Sequence, residues 1–257
     1  MYKNPYISVI KLFILLLSFA VTTQIRAANI DNIRFPKDGW DGNLLNIVIN
    51  GPVYLERSLE FDLPPPPNNS SQETIKELEL LKKYQAETRT PEQVSKILIE
   101  AKLGGFSETF LTGGPFSPEM QEAAAFILEF SNNESLYFIV LSKIRFHRPR
   151  PSQLLPELVL VIPNPGHAAY PSGHATQSML MAEIVALIDP NIAESARNYA
   201  EAIAKRREIA GVHYPSDSAA GQYFARKLLV ELTKVDEFKD ILAAAKINYR
   251  DLKQAAK

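Results

Sequence analysis

The side chains best suited to chemistry lie in one region of this sequence. All four histidines fall within residues 147–213, and a group of basic residues and a His–Asp pair lie in or beside that region. Imidazole is the side chain that most readily exchanges a proton near neutral pH, so this clustering is a first indication of a functional site. Three motifs here could each contact an anion.

The first motif is a basic cluster. Lys143, Arg145, Arg148 and Arg150 lie within eight residues, with no acidic residue among them. An arginine can bind two phosphoryl oxygens through its planar guanidinium, and a lysine adds a point charge. Four neighbouring cations repel one another, which a bound anion would explain. Taken alone, however, such a cluster is more often a solvated basic surface.

The second motif is the sequence Ser172-Gly173-His174 ahead of an apolar segment. Ser172 is suited to capping a helix, and Gly173 allows a ligand close to the backbone, where the first amides of a helix attract anions. His174 could there donate a proton to a departing oxygen. The alternative is an ordinary capped helix start with a surface histidine.

The third motif combines Arg207, His213 and Asp217. Asp217 can accept a hydrogen bond from one imidazole nitrogen of His213, which leaves the lone pair of the other nitrogen free to attack an electrophile. Arg207, at the end of the preceding predicted helix, could contact an anion that faces the same histidine. A His–Asp pair alone is often structural.

Predicted helices position these motifs. The proline run 64–67 interrupts regular structure, and helix-start signals recur after it, such as Thr90 ahead of a proline. Alternation typical of a strand is scarce, and residues 158–162 are the main ambiguous run. We therefore predict an all-α protein: a single helical-bundle domain over residues 68–257 and a short irregular N-terminal arm over residues 28–67. Predicted helices begin near Ser70, Thr90 and Ser117 and cover the stretches 136–144, 174–188, 192–210, 216–235 and 238–256.

The first 27 residues have the pattern of a secretory signal peptide. Lys3 and Lys11 precede or begin an apolar run over residues 12–21, and small residues follow at Ala27. The run is short for a transmembrane helix, although an uncleaved anchor is the alternative. We therefore expect a signal peptide over residues 1–27, a periplasmic or secreted mature protein and no stable membrane span.

Composition excludes several chemistries. The 257 residues contain no cysteine, which removes disulfides, cysteine-ligated metals and cysteine nucleophiles. With 28 basic and 29 acidic residues, the chain lacks the cationic surplus of a general nucleic-acid binder. Four histidines leave little for a multi-histidine metal cage.

Taken in order, the three motifs resemble the signature of the type 2 phosphatidic acid phosphatase superfamily. They follow the pattern K-x6-R-P from Lys143, P-S-G-H from Pro171 and R-x5-H-x3-D from Arg207. The distances between motifs are also similar to those of the superfamily, which contains class A non-specific acid phosphatases, lipid phosphatases and vanadium haloperoxidases. The Pro-rich run 63–67 resembles one near the mature N-terminus of the class A enzymes. One departure is Arg206, since a serine is usual there.

The resemblance implies a two-step reaction that needs neither a metal nor another cofactor. His213 would attack phosphorus to give a phosphohistidine, and Asp217 would orient its imidazole. His174 would protonate the leaving alcohol and then assist water in hydrolysing the intermediate. Because the two histidines would differ in protonation, we expect a bell-shaped rate profile that favours mildly acid pH. The phosphoryl oxygens would be bound by Lys143, Arg150, Ser172, Gly173 through its N–H, and Arg207.

Other basic residues match no position of the signature. We expect His147 and His167 to be structural or solvent-facing, and Arg145 and Arg148 to shape the potential at the entrance of the site.

The sequence thus favours an acid phosphatase that acts on small phosphomonoesters. The alternatives are a vanadium haloperoxidase, for which the chain is short, a non-catalytic oxyanion-binding protein, and a lipid phosphatase. In a lipid phosphatase, Phe106, Phe110 and Phe116 could form an apolar mouth, although core packing is the better explanation of these aromatic residues. The sequence is compatible with a homo-oligomer and does not fix the oligomeric state.

Overall fold

The fold is all-α, as predicted. The computed structural model describes residues 30–101 and 105–256, and the predicted signal peptide 1–27 lies outside them. Within those residues no strand is present, and the ambiguous run 158–162 is irregular. The helices are α1 (Gly42–Asn50), α2 (Gln72–Glu87), α3 (Pro91–Glu100), α4 (Phe106–Gly113), α5 (Pro118–Phe146), α6 (Pro151–Leu154), α7 (Gly173–Ile188), α8 (Ala193–Ile209), α9 (Pro215–Leu232) and α10 (Asp236–Ala255), with 3-10 turns at Lys37–Gly39 and Pro190–Ile192.

Side-chain caps start most of the predicted helices. The Oγ1 of Thr90 accepts the N–H of Gln93 at 3.2 Å at the start of α3, and Ser117 caps α5 in the same way. The prediction for α2 is off by one residue, because Ser71 is the cap and Ser70 instead donates to a carboxylate of the N-terminal arm.

Helix α5 is continuous where the sequence suggested two helices. No glycine or proline interrupts residues 119–146, so nothing ends the helix between its first turn and the basic cluster. Lys143 lies in its last turn, and His147 then takes a left-handed conformation at φ 47°. Lys143, Arg148 and Arg150 of the basic cluster are therefore buried in the domain, whereas Arg145 is exposed.

The N-terminal arm is less irregular than expected. Asp41 Oδ1 accepts the N–H of Asn43 at 2.8 Å and starts helix α1, whose apolar side packs on α5. The backbone N–H of Asp41 also donates to the carbonyl of Gly166 at 2.8 Å. The short apolar patch 44–49 is therefore a helix with one covered face, an outcome that depends on packing partners absent from the local pattern.

Helix α7 is the centre of the domain. It packs against α8, α9 and α5, and most of its side chains are buried, which explains its nearly uniform apolar sequence. At Gly221, helix α9 comes so close to α7 that an added Cβ would lie 2.7 Å from the carbonyl oxygen of Ser172. This close approach places the start of α7 beside the start of α9.

We predict that Gly221→Ala destabilises the protein despite the higher helix propensity of alanine. The methyl group would overlap the Ser172 carbonyl, and overpacking of this kind costs about 1–3 kcal/mol. Thermal unfolding should show a lower Tm. Gly42→Ala in α1 is the matched control, because no atom lies within 4 Å of its added Cβ. A Tm for Gly221→Ala equal to or higher than that of the wild-type protein would show that this close contact between α7 and α9 does not require glycine.

Candidate active site

The three sequence motifs converge at the start of α7. Lys143 comes from the end of α5, Ser172 caps α7, and Asp217 lies in the first turn of α9; all three are buried. The backbone N–H of Ser172 donates to the carbonyl of Asp217 at 3.0 Å, which joins the second motif to the third. The predicted site residues therefore form one cluster.

His213 is held in one tautomer by its two neighbours. Its Nδ1 lies 3.0 Å from Asp217 Oδ2, and a carboxylate oxygen can only accept, so Nδ1 carries the proton. Its Nε2 lies 3.0 Å from Arg150 Nη1, and an arginine can only donate, so Nε2 carries the lone pair. Both contacts require the same tautomer, in which the nucleophilic lone pair is on Nε2 and accepts from Arg150.

Burial keeps His213 neutral. Desolvation lowers its pKa well below the usual 6.5, and the cationic groups of Arg150, Lys143 and Arg207 lower that pKa further. A histidine with a lone pair at Nε2 and a carboxylate on Nδ1 is suited to attack on phosphorus, which is the arrangement the third motif predicts.

Arg150 is fully buried, and its N–H groups donate to residues of this site. Besides Nε2 of His213, it donates to the carbonyls of Val212 at 2.7 Å and His167 at 3.0 Å. Its Nη2 donates to Nδ1 of His167 at 2.8 Å. Desolvation lowers its pKa to about 9. Because these donors are engaged, contact with a phosphoryl oxygen requires Arg150 to exchange at least one partner.

Lys143 is bound by backbone carbonyls. Its Nζ donates to Ala168 at 3.1 Å, to Ala169 at 3.3 Å and to Pro171. Burial and then the charge of Arg150 lower the pKa of the ammonium group well below its usual value. Lys143 therefore contributes charge at the site while its three protons are held by the loop before α7.

Arg207 is a buried cation with N–H donors available to an anion. Its side chain is 1% exposed, yet Nε and Nη1 make no hydrogen bond to any part of the chain that the structure describes. Burial lowers its pKa to about 10, so it stays charged at neutral pH. Unsatisfied buried donors on a cation are costly, and a phosphoryl group would satisfy them.

His174 faces the same cluster from α7. Its Nε2–H donates to the carbonyl of Glu100 at 2.8 Å, and the ring of Phe106 packs edge-on at 4.8 Å between centroids. Burial first, and then Arg207, lower the pKa of His174 well below 6.5. Both site histidines are thus neutral in the ligand-free protein, although the predicted reaction requires one of them to be an acid.

A cavity of about 630 Å³ opens onto this site. Lys143, Gly173 and His174 line its inner part, and amide and carboxylate side chains together with apolar residues line the rest. A Cβ built on Gly173 would have its nearest neighbours at 3.8–3.9 Å, so the protein does not fill the space beside this glycine. A larger groove of about 800 Å³ lies at Glu100 and Arg206, and none of the predicted site residues lines it.

Two basic residues have a different place from the one expected. Arg148 is not at an entrance: it is 2% exposed and binds Asp217 and Glu77, so it belongs to the interior of the site. His167 lines the cavity and contacts Arg150, whereas we expected a structural or solvent-facing residue. The basic cluster contained Arg148, but spacing alone could not distinguish its role from that of Arg150.

Arg206, which stands where the superfamily usually has serine, pairs with Glu100. Its Nε donates to Glu100 Oε1 at 2.7 Å, and both side chains are buried. The carbonyl of the same Glu100 accepts from His174. Arg206 therefore fixes the residue that holds the proposed acid and directs its own charge away from the cavity at Lys143.

Residues 124–238 match the sequence profile of the PAP2 superfamily. That segment contains all eight predicted site residues, so the part of the chain that carries the site is similar to this superfamily. No functionally curated sequence is significantly similar to the whole chain.

A solved structure with a similar fold is a bacterial vanadium-dependent iodoperoxidase, with a TM-score of 0.55 and 17% identity, over 71% of this chain and 55% of its own. This chain therefore spans little more than half of the iodoperoxidase, and at this identity the fold alone is shared with it. A transmembrane PAP2-type phosphatidylglycerolphosphate phosphatase from Bacillus subtilis also matches, with a TM-score of 0.44 and 12% identity, over 73% of this chain and 89% of its own.

Within the described residues, no helix has the length and apolar character needed to cross a bilayer. Over those same residues, no group of three His, Asp or Glu side chains is arranged to hold a metal ion.

We predict that Gly173→Ala impairs substrate binding without unfolding the protein. The added methyl group meets no protein atom closer than 3.8 Å but occupies space beside the first amide of α7. We expect KM to rise about tenfold, corresponding to about 1.4 kcal/mol of binding, with Tm unchanged or slightly raised. Unchanged kinetics in the variant would show that phosphate does not approach Gly173.

We also predict that phosphate raises the pKa of His174. In the ligand-free protein both His174 and His213 should stay neutral until the pH falls below 6.5, because burial opposes their protonation. A bound phosphoryl group adds negative charge, which favours the imidazolium form. Proton and nitrogen NMR titrations of histidine-labelled protein, with and without inorganic phosphate, measure both values. A His174 pKa that phosphate leaves unchanged would exclude it as the group that becomes the acid.

Proposed function

We propose that this protein is a phosphatase that hydrolyses phosphomonoesters through a phosphohistidine at His213. The observation that carries the proposal is the neutral His213 with its lone pair on Nε2, inside a ring of buried cations. Arg207 has two buried N–H donors without a partner among the described residues, and an anion would satisfy them. The match of residues 124–238 to the PAP2 profile supports a phosphatase activity independently of this geometry.

In the first step, Nε2 of His213 attacks phosphorus and the bond from phosphorus to the alcohol oxygen breaks. That alcohol oxygen takes a proton from His174. Arg150 donates to Nε2 of His213 in the structure and exchanges this hydrogen bond for one to a phosphoryl oxygen. Its positive charge then stabilises the negative charge that develops on that oxygen. Arg207 and the N–H of Gly173 stabilise the same oxygens.

In the second step, His174 accepts a proton from water as the water oxygen attacks phosphorus. The bond from phosphorus to Nε2 breaks, and inorganic phosphate leaves with Arg150 returning to the lone pair. Asp217 keeps the proton on Nδ1 throughout, so the same nitrogen of His213 acts as nucleophile and leaving group. The kcat/KM profile then has its acid limb below pH 6.5, where His213 in the free enzyme becomes protonated.

We infer that the enzyme is an exported acid phosphatase similar to the class A group. The signal-peptide pattern and the Pro-rich run 63–67 support this assignment. A lipid phosphatase is less well supported, because Phe110 and Phe116 are buried in the core and only Phe106 lines the cavity.

Trapping of the phosphoenzyme tests the mechanism. We expect the purified protein to hydrolyse p-nitrophenyl phosphate and, after rapid acid-free quenching, to carry an acid-labile, base-stable label from radioactive substrate. His213→Ala should carry none, because it lacks the nucleophile. His147→Ala is the matched control, since this histidine packs beside Trp40 and outside the cavity.

Equal labelling of His213→Ala and the wild-type protein would refute the phosphohistidine. Halide oxidation with peroxide in the presence of vanadate should be measured in parallel. Robust halide oxidation without ester hydrolysis would favour the haloperoxidase alternative, and phosphate binding without either reaction would favour an oxyanion-binding protein.

A further inference from the structure

We propose that Arg148 and Glu77 are positioning residues that hold the Asp217 carboxylate, and through it the His213 ring, in the orientation needed for attack. This inference rests on the proposed function, because it assigns a role within the same reaction. Neither residue belongs to the set that the three motifs predicted.

Arg148 completes the coordination of the Asp217 carboxylate. Its Nη1 donates to Oδ1 at 2.6 Å, whereas Oδ2 accepts from His213 Nδ1 and from the backbone N–H of Tyr214, each at 3.0 Å. Each carboxylate oxygen therefore has its own fixed partners. The carboxylate cannot turn to offer Oδ1 to the histidine without breaking the pair with Arg148.

Arg148 is itself fixed on one face and at both terminal nitrogens. Its guanidinium carbon lies 3.8 Å above the centroid of the Tyr214 ring, and its Nη1 also donates to Ser216 Oγ at 2.7 Å. The side chain is 1% exposed, and Nη1 and Nη2 both have hydrogen-bond partners, whereas Nε has none among the described residues. A guanidinium fits this place because its planar donors reach two carboxylates at once, which a lysine ammonium cannot do with the same geometry.

Glu77 supplies the second carboxylate. Its Oε2 lies 3.1 Å from Arg148 Nη2, and its Oε1 accepts the backbone N–H of Ser216 at the start of α9. Glu77 therefore ties Arg148 to the same turn that carries Asp217. It lies in α2, outside the segment 124–238 that matches the PAP2 profile, so this helix adds a component to the site that the superfamily profile does not describe.

The arrangement forms one line of contacts from Glu77 through Arg148 and Asp217 to His213. Groups that orient a catalytic side chain through hydrogen bonds typically affect activity by about 10- to 100-fold when removed. Loss of Arg148 leaves Asp217 free to rotate, so His213 would spend less time with its lone pair directed at phosphorus. This loss should slow attack more than it weakens binding.

The test compares Arg148→Met, Arg148→Lys and Glu77→Gln with the wild-type protein. We expect Arg148→Met to lower the rate of phosphoenzyme formation about 10- to 100-fold, with KM changed less than about threefold. Arg148→Lys should recover part of the loss, because it keeps the charge but reaches fewer partners. Glu77→Gln should have a smaller effect of the same kind.

Glu183→Gln is the matched control. Glu183 also accepts from two arginines, Arg197 and Arg226, but it lies on α7 away from the cavity lining. We expect this variant to keep the wild-type rate of phosphoenzyme formation. Far-UV circular dichroism and Tm establish that each variant is folded, and if Arg148→Met does not fold, Arg148→Lys and Glu77→Gln decide the question.

A second readout does not require turnover. Nitrogen NMR of the histidine side chains reports whether His213 keeps its proton on Nδ1, and we expect this tautomer to be partly lost in Arg148→Met. A folded variant with wild-type phosphorylation and an unchanged tautomer would overturn the inference. If the wild-type protein forms no phosphoenzyme, the proposed function fails, while the tautomer comparison still tests the positioning role.

Discussion

The site depends on one buried carboxylate. Asp217 has no exposed surface, and both of its oxygens are bound, Oδ2 by His213 and Oδ1 by Arg148. Its backbone carbonyl also accepts the N–H of Ser172, which caps α7. A charge buried this deeply is tolerated only when its partners are complete, so the residues around it are constrained together. The close packing at Gly221 also holds the start of α7 against α9.

The second constraint is an excess of buried positive charge. Lys143, Arg150 and Arg207 lie around two neutral histidines, and in the ligand-free protein carbonyl oxygens and imidazole lone pairs satisfy the first two. Arg207 is left with unsatisfied donors. Desolvation therefore depresses the pKa values of both histidines until an anion arrives. Under the proposed function, the same charges would couple binding of the anion to protonation of the histidines.

Much of the fold and of the primary site could be predicted because its signals are local. Caps such as Thr90 and Ser117 act within one helical turn, and the three motifs act within a few residues each. The helix α1 was missed since its stability comes from packing on α5. Glu77 could not be predicted as a site residue, because 140 positions separate it from Asp217 and nothing in its own helix distinguishes it from the other acidic residues there.

The shared fold does not determine the reaction, since a vanadium-dependent iodoperoxidase has a similar one. What a phosphatase of this kind requires is a histidine lone pair that can reach phosphorus and then release it. Here that lone pair is held by Arg150, whose other donors go to His167 and Val212. In the proposed reaction, Arg150 must leave Nε2 for a phosphoryl oxygen before the lone pair can attack phosphorus. Since Arg150 also donates to His167, which lines the cavity, the cavity wall helps to position this arginine.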